Sequence, residues 1–400
     1  MDAEDVSYEP VSVKEVLAEM KDTSELLIDL AYSAVLLGSR DVAAEVLELE
    51  ERMDVLQLQA RMSLLLAARS PEDAEQLAPV LGVVGAAEKI SDAAGDIAKI
   101  VIEDIGLPDE LRGALPDAVE TLVRGEVAGA SPYAGRTLDD VNMETETGVR
   151  VIAIRRAGEW ITNPDHETRL EAGDVVLLRG AEDHVVDVYE LVTGDRYTPP
   201  PVPEPTIEDL GRAVDSIVLM KNMSELAVDL GYGAVLFDST AVAEEVSELE
   251  AEMDALKSRL EAWSLRAAAR VDDPVSLRGV MQLASATEVI SDAALELSEG
   301  VLRGIDAHPV VAAAVEESDE VIVRVTVTGD STLADASLGD LGVRTETGMR
   351  VIAVRRSDDE WVVSPRSETV VHAGDVLIAK GTRGSAERLA DLAGVDREFE

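Results

Sequence analysis

Two residue patterns in the chain could carry chemistry, and each occurs twice. Asp92 and Asp96, then Asp292 and Glu296, set two carboxylates four residues apart, which on a helix puts both on one face. Like charges at that spacing repel mildly, a cost that a bound cation would remove, and oxygen ligands suit magnesium, calcium, manganese or iron. In a chain with 81 acidic residues such pairs also arise by chance, so a solvated acidic face is the plain alternative. The second pattern is Arg155-Arg156 and Arg355-Arg356. Guanidinium forks at these positions could grip a phosphate-bearing ligand in a dimer cleft. Side chains alternate on a strand, so only one arginine of each pair can face a given pocket. The alternative is pairing with local acids such as Asp358 and Asp359, or with an opposite subunit. Asp29 and Asp229 interrupt apolar helix faces, either as third carboxylates for the acidic motifs or as helix-pairing polar contacts. His166, His184, His308 and His372 are scattered and lack a nucleophile partner, so surface or loop positions are expected and no enzyme is read here.

These patterns recur because the chain is duplicated. Shifted by 200 positions it realigns on itself: Ser24-Glu25-Leu26 returns as Ser224-Glu225-Leu226, and Ile90 to Ala94 as Ile290 to Ala294. Thr145-Glu146-Thr147-Gly148 returns from Thr345, and Ala172-Gly173-Asp174-Val175 returns one residue later as Ala373-Gly374-Asp375-Val376. Between the copies a proline-rich run, 198–206, predicts an extended linker.

The elements that must position the candidates follow from periodicity. Val42, Val46, Leu49, Met53, Leu56 and Ala60 step by four and three, a stripe repeated at Val242, Val246, Leu249, Met253, Leu256 and Leu260 and continued by Trp263 and Ala267. With a helix over about 11 to 37 stopped at Gly38-Ser39, and one begun by Ser70-Pro71, this predicts three long antiparallel helices per copy. The later part of each copy changes period. Val149 to Arg156, Asp174 to Arg179 and Val321 to Thr328 read as strands, with short helices near Leu138 to Val141 and Glu182 to Leu191. A module this small buries little alone and is expected to pair across a dimer interface.

Composition bounds the function classes. The chain has 400 residues, 46% of them hydrophobic, enough for several cores. A net charge of −46, only seven lysines among 35 basic residues, and 3% aromatics suggest a surface kept hydrated in high salt, as in a halophile's cytoplasm. Such a surface repels nucleic acid and anionic lipid, so neither is an expected partner. There is no cysteine, which excludes disulfides and thiolate metal sites. The first ten residues do not read as a signal peptide, and the longest apolar stretch, Leu26 to Gly38, is too short to span a bilayer.

With these residues in view, the strand-rich module resembles the C-terminal domain of potassium-conductance regulators, TrkA-C or RCK-C. The resemblance rests on Gly135-Arg136-Thr137-Leu138, Val151 to Arg156 and Ala172-Gly173-Asp174-Val175. The second copy keeps Val351 to Arg356 but has Asp335-Ala336-Ser337 in place of Gly135-Arg136-Thr137. The helical region resembles PhoU, chiefly through Ile90 to Asp96 and Ile290 to Glu296. The resemblance implies an α+β multidomain fold: PhoU-like bundles over 11–106 and 207–306 alternate with RCK-C modules over 124–195 and 319–395. It also implies a cytoplasmic, homodimeric regulatory subunit of a potassium channel or transporter, with Arg136 joining the arginine pairs as a ligand contact. The ligand expected is a cyclic dinucleotide, and the carboxylate pairs are candidates for a divalent metal. The alternative is a metal-binding adaptor of phosphate transport or signalling. No Gly-x-Gly-x-x-Gly follows a strand, so a nucleotide-binding Rossmann half is not expected.

Overall fold

A computed structural model describes residues 13–68, 70–108, 121–141, 143, 147–162, 164, 167–180, 182–197, 207–236, 239–271, 273–304, 320–329, 331–357, 360–363 and 365–394. The proline-rich linker, His166, His308, Asp358 and Asp359 lie outside them. Copy one opens with α1 (Val13–Leu37), α2 (Arg40–Ala67) and α3 (Pro71–Ile102), and copy two with α6 (Glu208–Leu236), α7 (Thr240–Ala268) and α8 (Arg278–Leu302). Gly38, at φ 61°, ends α1 in the left-handed region where glycine carries no Cβ penalty. Ser39 then caps α2 by accepting a hydrogen bond from the Val42 amide, 3.3 Å, and Ser239 does the same for Val242. α3 begins one residue after Ser70, as its Ser-Pro start predicts. The stripe from Val42 to Ala60 is buried, as is its repeat from Val242 to Ala267 except for the half-exposed Trp263.

The two bundles form one six-helix body. α3 packs along α8 and α1 crosses α6, so a single hydrophobic core runs through both copies. Paired tyrosines cross this seam. Tyr32 donates to Thr287 Oγ1 at 2.7 Å and lies 3.2 Å from Ser224 Oγ, while Tyr232 reaches Ser24 Oγ at 3.3 Å. Burial pushes both phenols up, so they remain neutral hydrogen-bonding groups.

Each module is a four-stranded antiparallel sheet. β1 (Thr121–Glu126), β2 (Arg150–Arg156), β3 (Glu159–Thr162) and β4 (Val175–Gly180) lie in the order β1-β4-β2-β3, with α4 (Leu138–Val141) between β1 and β2 and α5 (Glu182–Thr193) following β4. In copy two, β5 (Glu320–Thr326), β7 (Arg350–Arg355), β8 (Trp361–Val363) and β10 (Val376–Thr382) repeat the order as β5-β10-β7-β8. The short strands β6 (Ala336–Ser337) and β9 (Val370–Val371) pair separately, with α9 (Val343–Thr347) before β7 and α10 (Arg383–Ala393) following β10. The sequence reading found β2, β4 and β5 but not β1 or the β2–β3 hairpin.

Alternation gives each sheet two apolar faces. Val123, Ile154, Val176 and Leu178 build the module's own core with Val185, Val188 and Val192 of α5. Leu122, Ala153, Trp160 and Leu177 face the other way and join the core of the helical body. Within this chain, therefore, the second face of each sheet is covered by helices of its own copy.

Candidate functional site

The arginines lie where sheet meets helix. On the body-facing side of the first sheet, Arg124 of β1 and Arg155 of β2 converge on Glu45 of α2, at 2.8 and 2.6 Å from one carboxylate oxygen. Glu48 adds a contact to Arg155 at 3.4 Å. Copy two builds the same clamp: Arg355 donates two hydrogen bonds to Glu245, 2.7 and 2.9 Å, and Arg324 one of 2.7 Å. The glutamate side chains are only 3% and 2% exposed, so each buried charge is neutralised by two guanidinium groups. Burial alone would raise the Glu245 carboxyl, but hydrogen bonds from Arg355 and Arg324 outweigh it and hold the group below the usual carboxylate range.

The second arginine of each pair points to the opposite face, as strand alternation requires. Arg156 forms a two-pronged bond to Asp174, 2.8 and 2.7 Å, and a third to the Arg169 carbonyl, 2.6 Å. Asp174 in turn accepts from the Glu171 amide, 2.7 Å, closing the Ala172-Gly173-Asp174 turn. Arg356 bonds Asp375 at 2.5 Å and the Val370 carbonyl at 2.8 Å, and Asp375 accepts from the His372 amide. Arg156 and Arg356 thus anchor the turn that feeds the central strand. Arg136 is exposed and donates to the Asp140 carbonyl, while Arg169 reaches the Gly135 carbonyl.

Asp92 and Asp96 project outward from α3, and Asp292 and Glu296 from α8. Burial first, and then the charges of Glu88, Asp54 and Asp96, raise the Asp92 carboxyl. Asp292 is raised in the same way, with Glu288 and Asp254 as its main acidic neighbours. The protein's own ammonium groups enter these patches. Lys99 sits 3.2 Å from Asp96 and 3.7 Å from Glu50, Lys89 of α3 bonds Glu296 of α8 at 2.5 Å, and Lys257 bonds Glu288. Among the described residues no three acidic or histidine side chains share a geometry that would hold a metal ion. Asp29 and Asp229 do not join these patches. They lie at the crossing of α1 and α6, with Asp29 bonding Arg179 of β4 at 2.6 Å.

Sequence reasoning missed the glutamates of the clamps. A signal was present: Glu45 falls within the apolar stripe, three residues after Val42 and four before Leu49, and the same intrusion recurs at Glu245. A charge on a buried helix face needs a partner, and Arg124 and Arg324 recur at matching positions.

A sheet seated on a helical bundle, twice over, makes a two-module architecture, and no catalytic constellation appears among the described residues. The TrkA-C domain model matches residues 123–193 and 322–394, and the PhoU domain model matches 17–101. The chain therefore carries two TrkA-C domains and a PhoU domain, and these are regulatory families. It is 27% identical over 132 residues to probable potassium channel protein 2 of Methanocaldococcus jannaschii, a match covering 31% of this chain and 38% of that protein. Potassium channel protein 1 of the same organism is 32% identical over 75 residues, 19% of this chain and 22% of that one. The chain spans well under half of either relative. PhoU from Pseudomonas aeruginosa is similar at 14% identity, TM-score 0.42, over 73% of this chain and 96% of that one. An RCK_C domain dimer of S. agalactiae BusR in complex with c-di-AMP matches at 23% identity and TM-score 0.19, over 20% of this chain and 95% of that one.

Proposed function

We propose that the chain is a cytoplasmic regulatory subunit of a potassium transport system, in which the TrkA-C modules sense a small ligand and the six-helix body relays the response to a membrane partner. The observation that carries this reading is the pair of buried clamps, Glu45 with Arg124 and Arg155 and Glu245 with Arg324 and Arg355, which fix each sheet to the second helix of its own bundle. A change of sheet geometry in such a joint moves the helix, because a buried charge cannot leave its partners cheaply. The two potassium-channel relatives and the absence, among the described residues, of a helix long and apolar enough to cross a membrane support a separate membrane partner. In this reading the ligand is a cyclic dinucleotide met by the exposed Arg136, since Arg155, Arg156, Arg355 and Arg356 are taken up by carboxylates of their own copy, and two chains form a homodimer.

Calorimetric titration with cyclic di-AMP, together with affinity purification of the tagged protein from its host, tests the proposal. Saturable binding and recovery of a potassium channel or transporter subunit are expected. Absence of binding removes the sensing role. Recovery of a phosphate-transporter subunit instead assigns the chain to the adaptor class that its PhoU domain also fits.

A further inference from the structure

The outward face of α2 is apolar and, among the described residues, uncovered. Val42 to Ala60 fill the core from one side of this helix. On the opposite side Val55, Leu58, Met62 and Leu65 step by three, four and three, with Leu66 beside them. Leu65 is 72% and Leu66 64% exposed. The ion pairs Arg61–Glu88 and Lys99–Glu50 set the register of α2 against α3. That register brings Gly85 level with Leu64, and the exposed Leu81 level with Ala68. Two glycines inside α3, Gly82 and Gly85, therefore lie beside the leucines, and a Cβ at either would meet no atom within 4 Å. Glycine inside a helix costs stability relative to alanine, and among the described residues nothing approaches closely enough to require it. Copy two shows that the fold needs neither feature. Where copy one has Val55, Leu58, Met62 and Leu66 it has Ala255, Ser258, Ala262 and Arg266, and Gln282 and Ser285 stand for Gly82 and Gly85.

We propose that this stripe, with the glycines of α3 beside it, is the seat of a basic amphipathic helix from the membrane partner. The inference rests on the reading of the chain as a subunit that acts on such a partner. Charge selects the occupant. The outward face that carries the stripe continues toward the start of α2 as the exposed Glu51 and Asp54, and the chain as a whole carries −46. A second copy would bring the same charge, and anionic lipid would meet the same repulsion. Cytoplasmic segments of membrane proteins are, by contrast, rich in lysine and arginine. A helix with leucines on one face and cations along its flanks lays the leucines on Leu58, Met62 and Leu65 while its cations reach the carboxylates. Glycine lets its backbone come close to α3, which side chains such as Gln282 and Ser285 would prevent. Docking also removes from water an apolar patch that otherwise invites aggregation. The seat lies about 20–30 Å along α2 from Glu45, by the helical rise per residue. Module one, which grips Glu45 through Arg124 and Arg155, and the docked helix therefore bear on the same element.

The test uses the full chain at 1 M KCl, where long-range attraction between charges is screened, and a synthetic three-heptad lysine-rich helix with leucines at its a and d positions as the probe. Calorimetry is expected to show saturable binding of this peptide, and none of a peptide of the same composition with its leucines scrambled. A chain carrying Leu58→Gln and Leu65→Gln, both exposed positions, is expected to bind it about tenfold more weakly or worse. Gly82→Gln with Gly85→Ser, the residues of copy two, should raise the unfolding midpoint and yet weaken the peptide, two shifts that a merely structural role for the glycines would not combine. Equal affinity for the unsubstituted and leucine-substituted chains overturns the proposal, as does equal binding of the scrambled peptide. Two further results would give the stripe to another occupant and overturn it as well. One is sedimentation of the chain alone as a dimer that dissociates in the leucine variant. The other is flotation with phosphatidylglycerol vesicles that the variant abolishes. Because the probe stands for no particular transporter, these outcomes are separate from whether cyclic di-AMP binds or a potassium transporter subunit is recovered.

Discussion

Glu45 and Glu245 each place a carboxylate on an otherwise apolar helix face and satisfy it with two arginines from a different element. Replacing Glu245 by alanine leaves Arg324 and Arg355 facing a helix surface without their acid. The arginine side chains are 30% and 17% exposed, so water recovers part of the loss. Destabilisation of about 2–4 kcal/mol is expected in urea unfolding, below the full range for breaking a buried pair. The pH dependence has a definite sign. The folded Glu245 carboxyl titrates below its unfolded value of about 4.3, so its contribution is complete above that value and disappears as pH falls through the folded one. Acid unfolding between pH 3 and 5 should therefore be shallower in Glu245→Gln than in the unsubstituted protein. An unchanged acid profile would remove Glu245 from the set of groups that set acid stability.

At the scale of elements, the seam and the hairpins make separate predictions. Tyr32 has two partners on the opposing copy, at 2.7 and 3.2 Å, and Tyr232 has one at 3.3 Å. Tyr32→Phe should cost roughly 1–2 kcal/mol and Tyr232→Phe about 0.5–1, since each lost hydrogen bond carries about that much. Equal costs would contradict the asymmetric seam. Ala157 sits at φ 52° in the two-residue turn between β2 and β3, beside Gly158 at φ 89°. Ala157→Gly should stabilise by about 0.5–1 kcal/mol in the same unfolding assay by relieving the left-handed strain. The helices were legible because one stripe sets both their period and their buried face, and the stop at Gly38-Ser39 is local chemistry. β1 and the hairpin were not: Thr121 to Glu126 is a short run broken by Arg124, Gly125 and Glu126, and Arg124 can turn toward the helices only because Glu45, 79 residues earlier, receives it. The arginine pairs were legible as sites and as alternating faces. Their partners were not, since a long-range ion pair leaves no mark in local spacing.

For the whole molecule, the net charge of −46 and the fused seam dominate. Self-repulsion of that size is screened by salt, so the unfolding midpoint should rise steeply between 0.1 and 2 M KCl, most of the rise coming where the Debye length falls below about 10 Å. A flat salt profile would contradict the view that surface repulsion limits stability. Covering each sheet with its own helices and each bundle with the other copy leaves one continuous core through the six helices, the path along which the proposed relay would run. That continuity is best tested by hydrogen exchange of the full chain with and without saturating cyclic di-AMP. The account predicts altered protection in strands 121–126 and 150–156 together with helix 40–67, and in their second-copy equivalents, transmitted through the glutamate clamps. A change confined to the strands, with both helices unaffected, would contradict the relay.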